Sequence, residues 1–131
     1  MHSYPILINE SHLDFLGHVN NVAYLQIFEQ ARWQMITERG YGLEKMNQLK
    51  QGPVILRIDI QFKKEVRLRS KMLVESETVS YEGKIGKIIQ RMKSEAGDIH
   101  CEAEIMIGLF DLRERKLVEP SAEWRGACGA I

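Results

Sequence analysis

The residues of this sequence that could do chemistry are concentrated in HLDFLGHVNN, residues 12–21. A carboxylate, Asp14, lies seven residues before Asn21, and Gly17 allows the chain to turn between them. The first N–H groups of the helix that follows, near Asn21 and Val22, have no acceptor within that helix and lie at its positive end. A carboxylate beside such amides can activate water or attack a carbonyl group while the amides stabilise the oxyanion. The pattern therefore favours acyl transfer or hydrolysis over redox or phosphoryl chemistry.

The same loop also has a purely structural interpretation. An Asp before a glycine-containing turn commonly caps the local backbone, and an Asn pair commonly begins a helix. A loop histidine such as His18 is more typical of a hydrogen-bonding strut than of a catalyst. The histidines share no recognised metal-ligand spacing, so we expect no metal site. They are His2, His12, His18 and His100.

One long amphipathic helix is predicted directly after this loop. Asn20 is a suitable N-cap, and Gly40 is a suitable terminator of the segment VAYLQIFEQARWQMITERG. Apolar side chains recur along the segment at helical spacing and form a wide stripe that can pack against a sheet. The stripe comprises Tyr24, Ile27, Phe28, Ala31 and Met35, widened by Leu25 and Ile36.

Most of the remaining sequence is typical of β-strands. YPILIN predicts a first strand, and the even positions of VILRIDIQF (residues 54–62) are apolar, which indicates a half-buried strand. KMLVESETV and IGKIIQRMK are weaker strand patterns joined by the turn SYEGK, and CEAEIMIGL is apolar at its odd positions. The predicted order is one strand, one long helix and four strands joined mainly by short turns.

These elements predict an α+β fold in which one long central helix is wrapped by a mostly antiparallel sheet of about five strands. No repeat, linker or change in composition divides the chain, so we expect residues 1–131 to form a single domain. One helix cannot cover both faces and the edges of such a sheet. We therefore expect the protein to form a homodimer, and whether two dimers associate into a homotetramer is left open.

Composition and charge limit the possible partners. The chain has 18 basic and 18 acidic residues and a formal net charge of +0, so no overall field favours nucleic acid or an anionic membrane. The first residues lack the basic leader and apolar core of a signal peptide, and no apolar run approaches the roughly 18 residues of a membrane span. Cys101 and Cys128 lack metal or redox spacing. These features predict a reduced, cytoplasmic protein that binds neither nucleic acid nor membranes.

The segment LDFLGHVNNVAYLQIFEQAR resembles the signature of the hotdog-fold acyl-CoA thioesterases of the 4-hydroxybenzoyl-CoA thioesterase type. It is particularly similar to the bacterial long-chain acyl-CoA thioesterase branch, which carries D-x-x-x-H-V-N-N-x-x-Y followed by a helix with E-x-A-R. The resemblance implies a hotdog fold and hydrolysis of a fatty or aromatic acyl-CoA to the free acid and CoA. Coenzyme A would then be part of the substrate, and no separate cofactor is implied.

The resemblance also implies roles for individual residues. The family's catalytic carboxylate corresponds to Asp14, which would act as a general base or as a nucleophile toward the thioester carbonyl. The helix-start amide that polarises this carbonyl corresponds to Asn21, with the Val22 amide beside it. The positions that shape the loop correspond to Gly17, His18 and Asn20.

Substrate contacts are predicted on the helix and on a hairpin. Tyr24 corresponds to an aromatic residue that faces the acyl pocket, and Phe28 would line the same pocket. Lys84 is the preferred candidate for binding the CoA phosphates, because similar thioesterases carry a basic residue after the corresponding hairpin. A second basic cluster in FKKEVRLRSK comprises Lys63, Lys64, Arg67, Arg69 and Lys71.

Glu29 has two interpretations. Some hotdog enzymes use a helical carboxylate, so Glu29 could act together with Asp14. Glu29 also lies three residues before Arg32, which suits an ion pair on the helix surface or an interface contact.

Two other activities remain open on sequence grounds. A hotdog dehydratase or hydratase would pair a histidine with an acid, and His18 with Glu29 could take those roles. This sequence lacks the Pro-rich histidine motif of those enzymes, which ranks that alternative lower. A non-catalytic acyl-CoA-binding module would have the same fold, because fold alone does not determine function.

Overall fold

The computed structural model describes residues 1–130 of the chain. No helix within these residues combines the length and apolar character needed to cross a membrane. In chain order the elements are β1 (His2–Leu7), a 3-10 turn (Glu10–His12), α1 (Asn21–Glu38), α2 (Leu43–Leu49), β2 (Gln51–Phe62), β3 (Lys71–Glu82), β4 (Ile85–Ser94), β5 (Ile99–Asp111), β6 (Lys116–Val118) and α3 (Ala122–Cys128).

The strands form one antiparallel sheet with the order β1-β3-β4-β5-β2, and β6 pairs with the C-terminal end of β5. The buried side chains of α1 belong to the same hydrophobic core as those of β3, β4 and β5. The predicted α+β class with a mostly antiparallel sheet is confirmed. The sheet has one strand more than predicted, because the three-residue β6 is too short to show an alternating pattern. There are three helices where one was predicted.

Helix α1 follows the predicted apolar stripe closely. Every predicted stripe residue is buried except Leu25, and the buried face also includes Arg32, which the pattern did not predict. Asn20 occupies the N-cap position with extended backbone, although its side chain makes no capping bond. The helix ends just before Gly40, whose φ of +89° is favourable only for glycine.

The short helix α3 was missed in the sequence although its capping signals are present. The Ser121 hydroxyl accepts a hydrogen bond from the Trp124 N–H at 3.1 Å, and Gly129 ends the helix in the left-handed region. Only seven residues separate these caps, and they are too few to show helical periodicity. Trp124 is completely buried and anchors α3 against the core.

Strand β2 contains a bulge that the alternating pattern did not reveal. Ile55 pairs with Ile107 and Arg57 pairs with Met106, so Leu56 is an extra residue between them. Beyond the bulge the helix-facing residues are the predicted even positions, Ile58, Ile60 and Phe62. Before it they are the odd positions Pro53 and Ile55, opposite Leu109 and Ile107 of β5. The prediction for Val54 and Leu56 was therefore wrong, because one inserted residue reverses the faces of a strand.

Strand β2 is also an edge of the sheet and is incompletely covered. It pairs only with β5, and three of its apolar side chains are partly exposed: Leu56 at 44%, Ile58 at 39% and Phe62 at 52%. Ile58 and Phe62 point to the face on which α1 lies, so an apolar groove runs between the helix and this edge. A long edge with exposed apolar side chains is favourable for pairing with another strand.

Candidate active site

A tight turn presents Asp14 at the start of helix α1. The backbone N–H of Asp14 donates to the His18 carbonyl at 3.1 Å, and the Gly17 N–H donates to the Asp14 carbonyl at 3.2 Å. Gly17 has a φ of +84°, a conformation that strains residues with a Cβ. The turn that the sequence predicted around Gly17 is therefore the device that places Asp14 beside the helix.

Further hydrogen bonds fix this turn to the rest of the fold. The Val19 N–H donates to the Val66 carbonyl at 2.8 Å, and the Asn20 N–H donates to the His12 carbonyl at the same distance. His18 also forms an isolated antiparallel bridge with Arg67. The loop is thus held on both sides, by the 3-10 turn and by the segment between β2 and β3.

The two oxygens of the Asp14 carboxylate have different environments. Oδ1 accepts a hydrogen bond from the Leu16 N–H at 2.9 Å, which is the local capping contact of an Asx turn. Oδ2 lies 3.9 Å from Nδ1 of His18, and no group within residues 1–130 donates a hydrogen bond to it. The side chain is 25% exposed. The structural interpretation therefore applies to Oδ1, and Oδ2 is left available for chemistry.

Of the two helix-start amides that the sequence predicts to be open, only that of Asn21 is open. Within the described part of the chain the Asn21 N–H has no hydrogen-bond acceptor. The Val22 N–H instead donates to the side-chain Oδ1 of Asn21 itself at 3.0 Å. Of these two amides, the Asn21 N–H can therefore donate to a developing oxyanion without a side-chain rotation, whereas the Val22 N–H cannot.

Asp14, His18, Asn21 and Tyr24 line one open pocket of about 270 Å³. Sequence reasoning had grouped these four residues, and the structure brings them together. The other lining residues are Val19, Phe62, Lys64 and Glu65. The last three lie at or just after the end of β2, so the position of that strand in the sheet, rather than a local pattern, brings them to the pocket.

Tyr24 forms the apolar wall of this pocket together with Phe62. Their ring centroids are 5.2 Å apart, and Tyr24 is almost completely buried. The pKa of the Tyr24 phenol is raised to about 12. Burial is the largest cause, and the nearby Cys101, Asp14 and Glu65 add to it. The phenol therefore stays neutral near pH 7 and can donate a hydrogen bond.

The basic residues near the pocket are mostly paired. Lys64 lies 3.7 Å from Asp98, and Arg67 donates to Glu65 Oε1 from both Nε and Nη2. Nδ1 of His100 lies 2.9 Å from the Glu65 carbonyl, which fixes this segment against β5. Four of the five basic residues of FKKEVRLRSK therefore lie within 4.0 Å of a carboxylate, and Lys71 is the exception among the described ion pairs.

Three of the predicted catalytic and substrate-binding residues lie outside this pocket. Phe28 is completely buried in the core, and its carbonyl accepts a hydrogen bond from Gln90. The Val22 side chain is about half exposed to solvent. Lys84 lies in the turn between β3 and β4, eight residues from Met92 of β4. Met92 is level with Phe62 in the sheet, because both residues pair with Cys101 of β5. That separation is about 26 Å, so within this chain Lys84 and Asp14 lie at opposite ends of the sheet.

Glu29 also lies outside this pocket, on a different cavity from His18. It does not form the ion pair that its spacing from Arg32 allows, since the two side chains are not within 4.0 Å. The pairing of His18 with Glu29 that a dehydratase would need is therefore not formed. Within residues 1–130 no group of three or more His, Cys, Asp or Glu side chains is placed to hold a metal ion.

Residues 8–127 match the thioesterase-like superfamily. The long-chain acyl-CoA thioesterase FadM of Escherichia coli strain K12 is 28% identical over 121 residues, which cover 92% of this chain and 91% of FadM.

Solved structures have the same fold. The probable thioesterase YbaW of Escherichia coli has a TM-score of 0.87 at 26% identity, covering 97% of this chain and 96% of that one. The Staphylococcus aureus protein SAV2348, solved in complex with CoA, has a TM-score of 0.90 at 15% identity, covering 97% and 80%. The chain therefore belongs to the thioesterase-like superfamily, and the enzyme class that this membership implies is thioester hydrolase.

Proposed function

We propose that this protein hydrolyses acyl-CoA thioesters to the free acid and CoA. The observation that carries the proposal is a carboxylate oxygen, Oδ2 of Asp14, that shares a pocket with an open helix-start amide, that of Asn21. Family membership and the relative FadM support the reaction class. The CoA bound by the structural neighbour SAV2348 supports the choice of thioester.

The chemistry follows from the two groups. The thioester carbonyl oxygen accepts a hydrogen bond from the Asn21 N–H, which stabilises the negative charge that develops there. Asp14 either takes a proton from a water molecule that attacks the carbonyl carbon, or attacks that carbon itself and forms an anhydride that water then opens. In both routes the C–S bond breaks, the CoA thiolate takes a proton, and the acid is released.

The acyl group is proposed to lie in the apolar groove between α1 and β2. Tyr24 and Phe62 stand at its start beside Asp14, and Ile58 continues it along the strand. This lining suits a fatty or an aromatic acyl group, because it offers aromatic and aliphatic surface with a single phenol donor.

A homodimer, alone or as half of a homotetramer, is proposed to complete the site. Two β2 edges that pair antiparallel would bury Ile58 and Phe62 and close the groove from its open side. In such antiparallel pairing the two sheets run in opposite directions. The β3–β4 hairpin of the second copy, which carries Lys84, would therefore lie beside Asp14 of the first copy. No carboxylate of residues 1–130 lies within 4.0 Å of Lys84, which supports a role in binding CoA phosphates.

Replacing Ile58 with Asp is expected to convert the oligomer to a monomer, because a carboxylate on this edge would be buried without a partner. Light scattering coupled to gel filtration measures the mass directly. Leu7→Asp is the matched control, since Leu7 is a half-exposed apolar residue on β1, the strand at the opposite edge of the sheet. An Ile58→Asp protein that keeps the wild-type mass would contradict the proposed interface.

The proposed function is tested by measuring thiol release from acyl-CoAs of increasing chain length and from aromatic acyl-CoAs. Steady turnover on at least one of them is the expected result. Hydration of an enoyl-CoA without thiol release would identify a hydratase instead. Saturable binding of acyl-CoA without turnover would identify a binding module and contradict the proposal.

A further inference from the structure

A second cavity lies further along helix α1 than the pocket of Asp14. Its volume is about 90 Å³, and it is bounded by α1, β2, β4, β5 and α3. Nearly all of its walls are apolar, including Met35, Ile55, Ile88, Ile107 and Trp124. The reaction proposed above uses none of these residues.

One charged side chain, Arg32, is buried at this cavity. It is only 9% exposed, and its Nη1 donates to Oε1 of Gln90 at 2.9 Å. Gln90 is completely buried and is held in place by its own donations to the Phe28 carbonyl at 3.0 Å and to Ser76 Oγ at 2.9 Å. No carboxylate of the described chain lies within 4.0 Å of the guanidinium. Arg32 is thus positioned by an amide and has no anionic partner among residues 1–130.

A guanidinium keeps its charge in this setting. Burial lowers the pKa of Arg32 from its usual value, and the more distant Glu29 opposes the shift, but an arginine remains protonated near pH 7. Burying a charge without a counter-ion is costly, so a carboxylate that enters the cavity would gain a strong, charge-assisted hydrogen bond. The other ionisable groups at the cavity do not supply it. Glu29 is exposed, and burial raises the pKa of the Cys128 thiol, which stays neutral.

The cavity and the pocket of Asp14 are both lined by residues of α1 and β2. Tyr24 of α1 and Phe62 of β2 line the pocket of Asp14. Arg32, which is eight residues further along α1, and Ile55, which is seven residues back along β2, line the second cavity. Arg32 is eleven residues beyond Asn21, which is about 16 Å along the helix axis. An extended saturated chain, with bonds of about 1.5 Å at tetrahedral angles, spans this distance with about 13 bonds.

We propose that this cavity receives the far end of the acyl chain and that Arg32 binds a carboxylate there. The preferred substrates are then CoA monothioesters of dicarboxylic acids, with the second carboxylate at the opposite end of the chain from the thioester. This inference rests on the proposed function, since it names the acyl class on which the same Asp14 acts.

The test compares two CoA thioesters of equal length, about 12–14 carbons, one ending in a carboxylate and the other in a methyl group. The wild-type kcat/KM is expected to be at least about tenfold higher for the carboxylate-terminated substrate, the value of one hydrogen bond to a charged group. Equal rates, or a preference for the methyl-terminated substrate, would overturn the inference while leaving the proposed function intact. Thiol release from neither of these substrates, with turnover on another acyl-CoA, would overturn the inference alone, whereas thiol release from no acyl-CoA would overturn both.

Two substitutions locate the effect. Arg32→Met removes the charge and keeps the apolar stem, so it should abolish the preference while changing the methyl-terminated rate less than about threefold. Glu29→Gln is the matched control on the same helix and should retain or increase the preference, because it removes a negative charge near the cavity. A preference that survives in folded Arg32→Met would exclude Arg32 as its cause. If Arg32→Met does not fold, the wild-type comparison decides alone.

Discussion

Replacing Asp14 with Asn is expected to lower kcat/KM for acyl-CoA hydrolysis by about 10²- to 10⁴-fold, the contribution of a positioned proton acceptor. The amide cannot take a proton from water at neutral pH, and it is a poor nucleophile. The side chain keeps its shape, and its oxygen can still accept the Leu16 N–H that Oδ1 accepts at 2.9 Å. Stopped or continuous thiol assays on the best acyl-CoA measure the loss.

Asp14→Ala separates catalysis from loop structure. Alanine loses both the reactive oxygen and the contact with the Leu16 N–H, so its activity should fall to the level of the Asn variant. Its free energy of unfolding should fall by about 1 kcal/mol more than that of the Asn variant, for the lost hydrogen bond. Asp14→Asn turnover within tenfold of wild type would exclude the assigned mechanism. Low activity accompanied by poor folding of the Asn variant would instead favour the purely structural role.

Replacing Trp124 with Ala is expected to lower the free energy of unfolding by about 3–5 kcal/mol, a large part of the stability of a domain of this size. Trp124 is completely buried, and its ring lies edge-on to Tyr41 with centroids 5.3 Å apart. Its indole N–H donates to the Tyr81 hydroxyl at 3.0 Å, which joins α3 to β3. Urea denaturation at a fixed protein concentration measures the change.

Trp124→Phe is the conservative counterpart. It keeps most of the apolar surface and loses the hydrogen bond to Tyr81, so the expected cost is about 1–2 kcal/mol. An alanine variant that loses less than about 1 kcal/mol would mean that α3 contributes little to the core. That result would contradict the view that the C-terminal helix is an integral part of this fold.

The sequence by itself determined the local parts of the site and most of the elements. Asp14, Gly17 and Asn21 lie within eight residues, so a single turn and a helix start are enough to bring the carboxylate and the amide together. Helix α1 was predictable because its apolar stripe repeats over five turns. The resemblance carried by LDFLGHVNNVAYLQIFEQAR named the superfamily that residues 8–127 match.

Features that depend on strand pairing could not be read from the sequence. The bulge at Leu56 moves Pro53 and Ile55 to the helix-facing side, and only the pairing with β5 reveals it. The same pairing brings Phe62 to Tyr24, and it separates Lys84 from Asp14 by the length of the sheet. Register is a long-range property, because it is set by partners far away in the chain.

Burial and hydrogen-bond partners were likewise decided only by the tertiary structure. Arg32 has the sequence environment of a surface residue, yet it is enclosed by residues from three strands and from α3. The Val22 amide, expected to be open, is occupied by the neighbouring Asn21 side chain through a rotamer choice that no pattern encodes. Periodicity specifies which residues share a face of one element, whereas the environment of that face depends on which other elements pack against it.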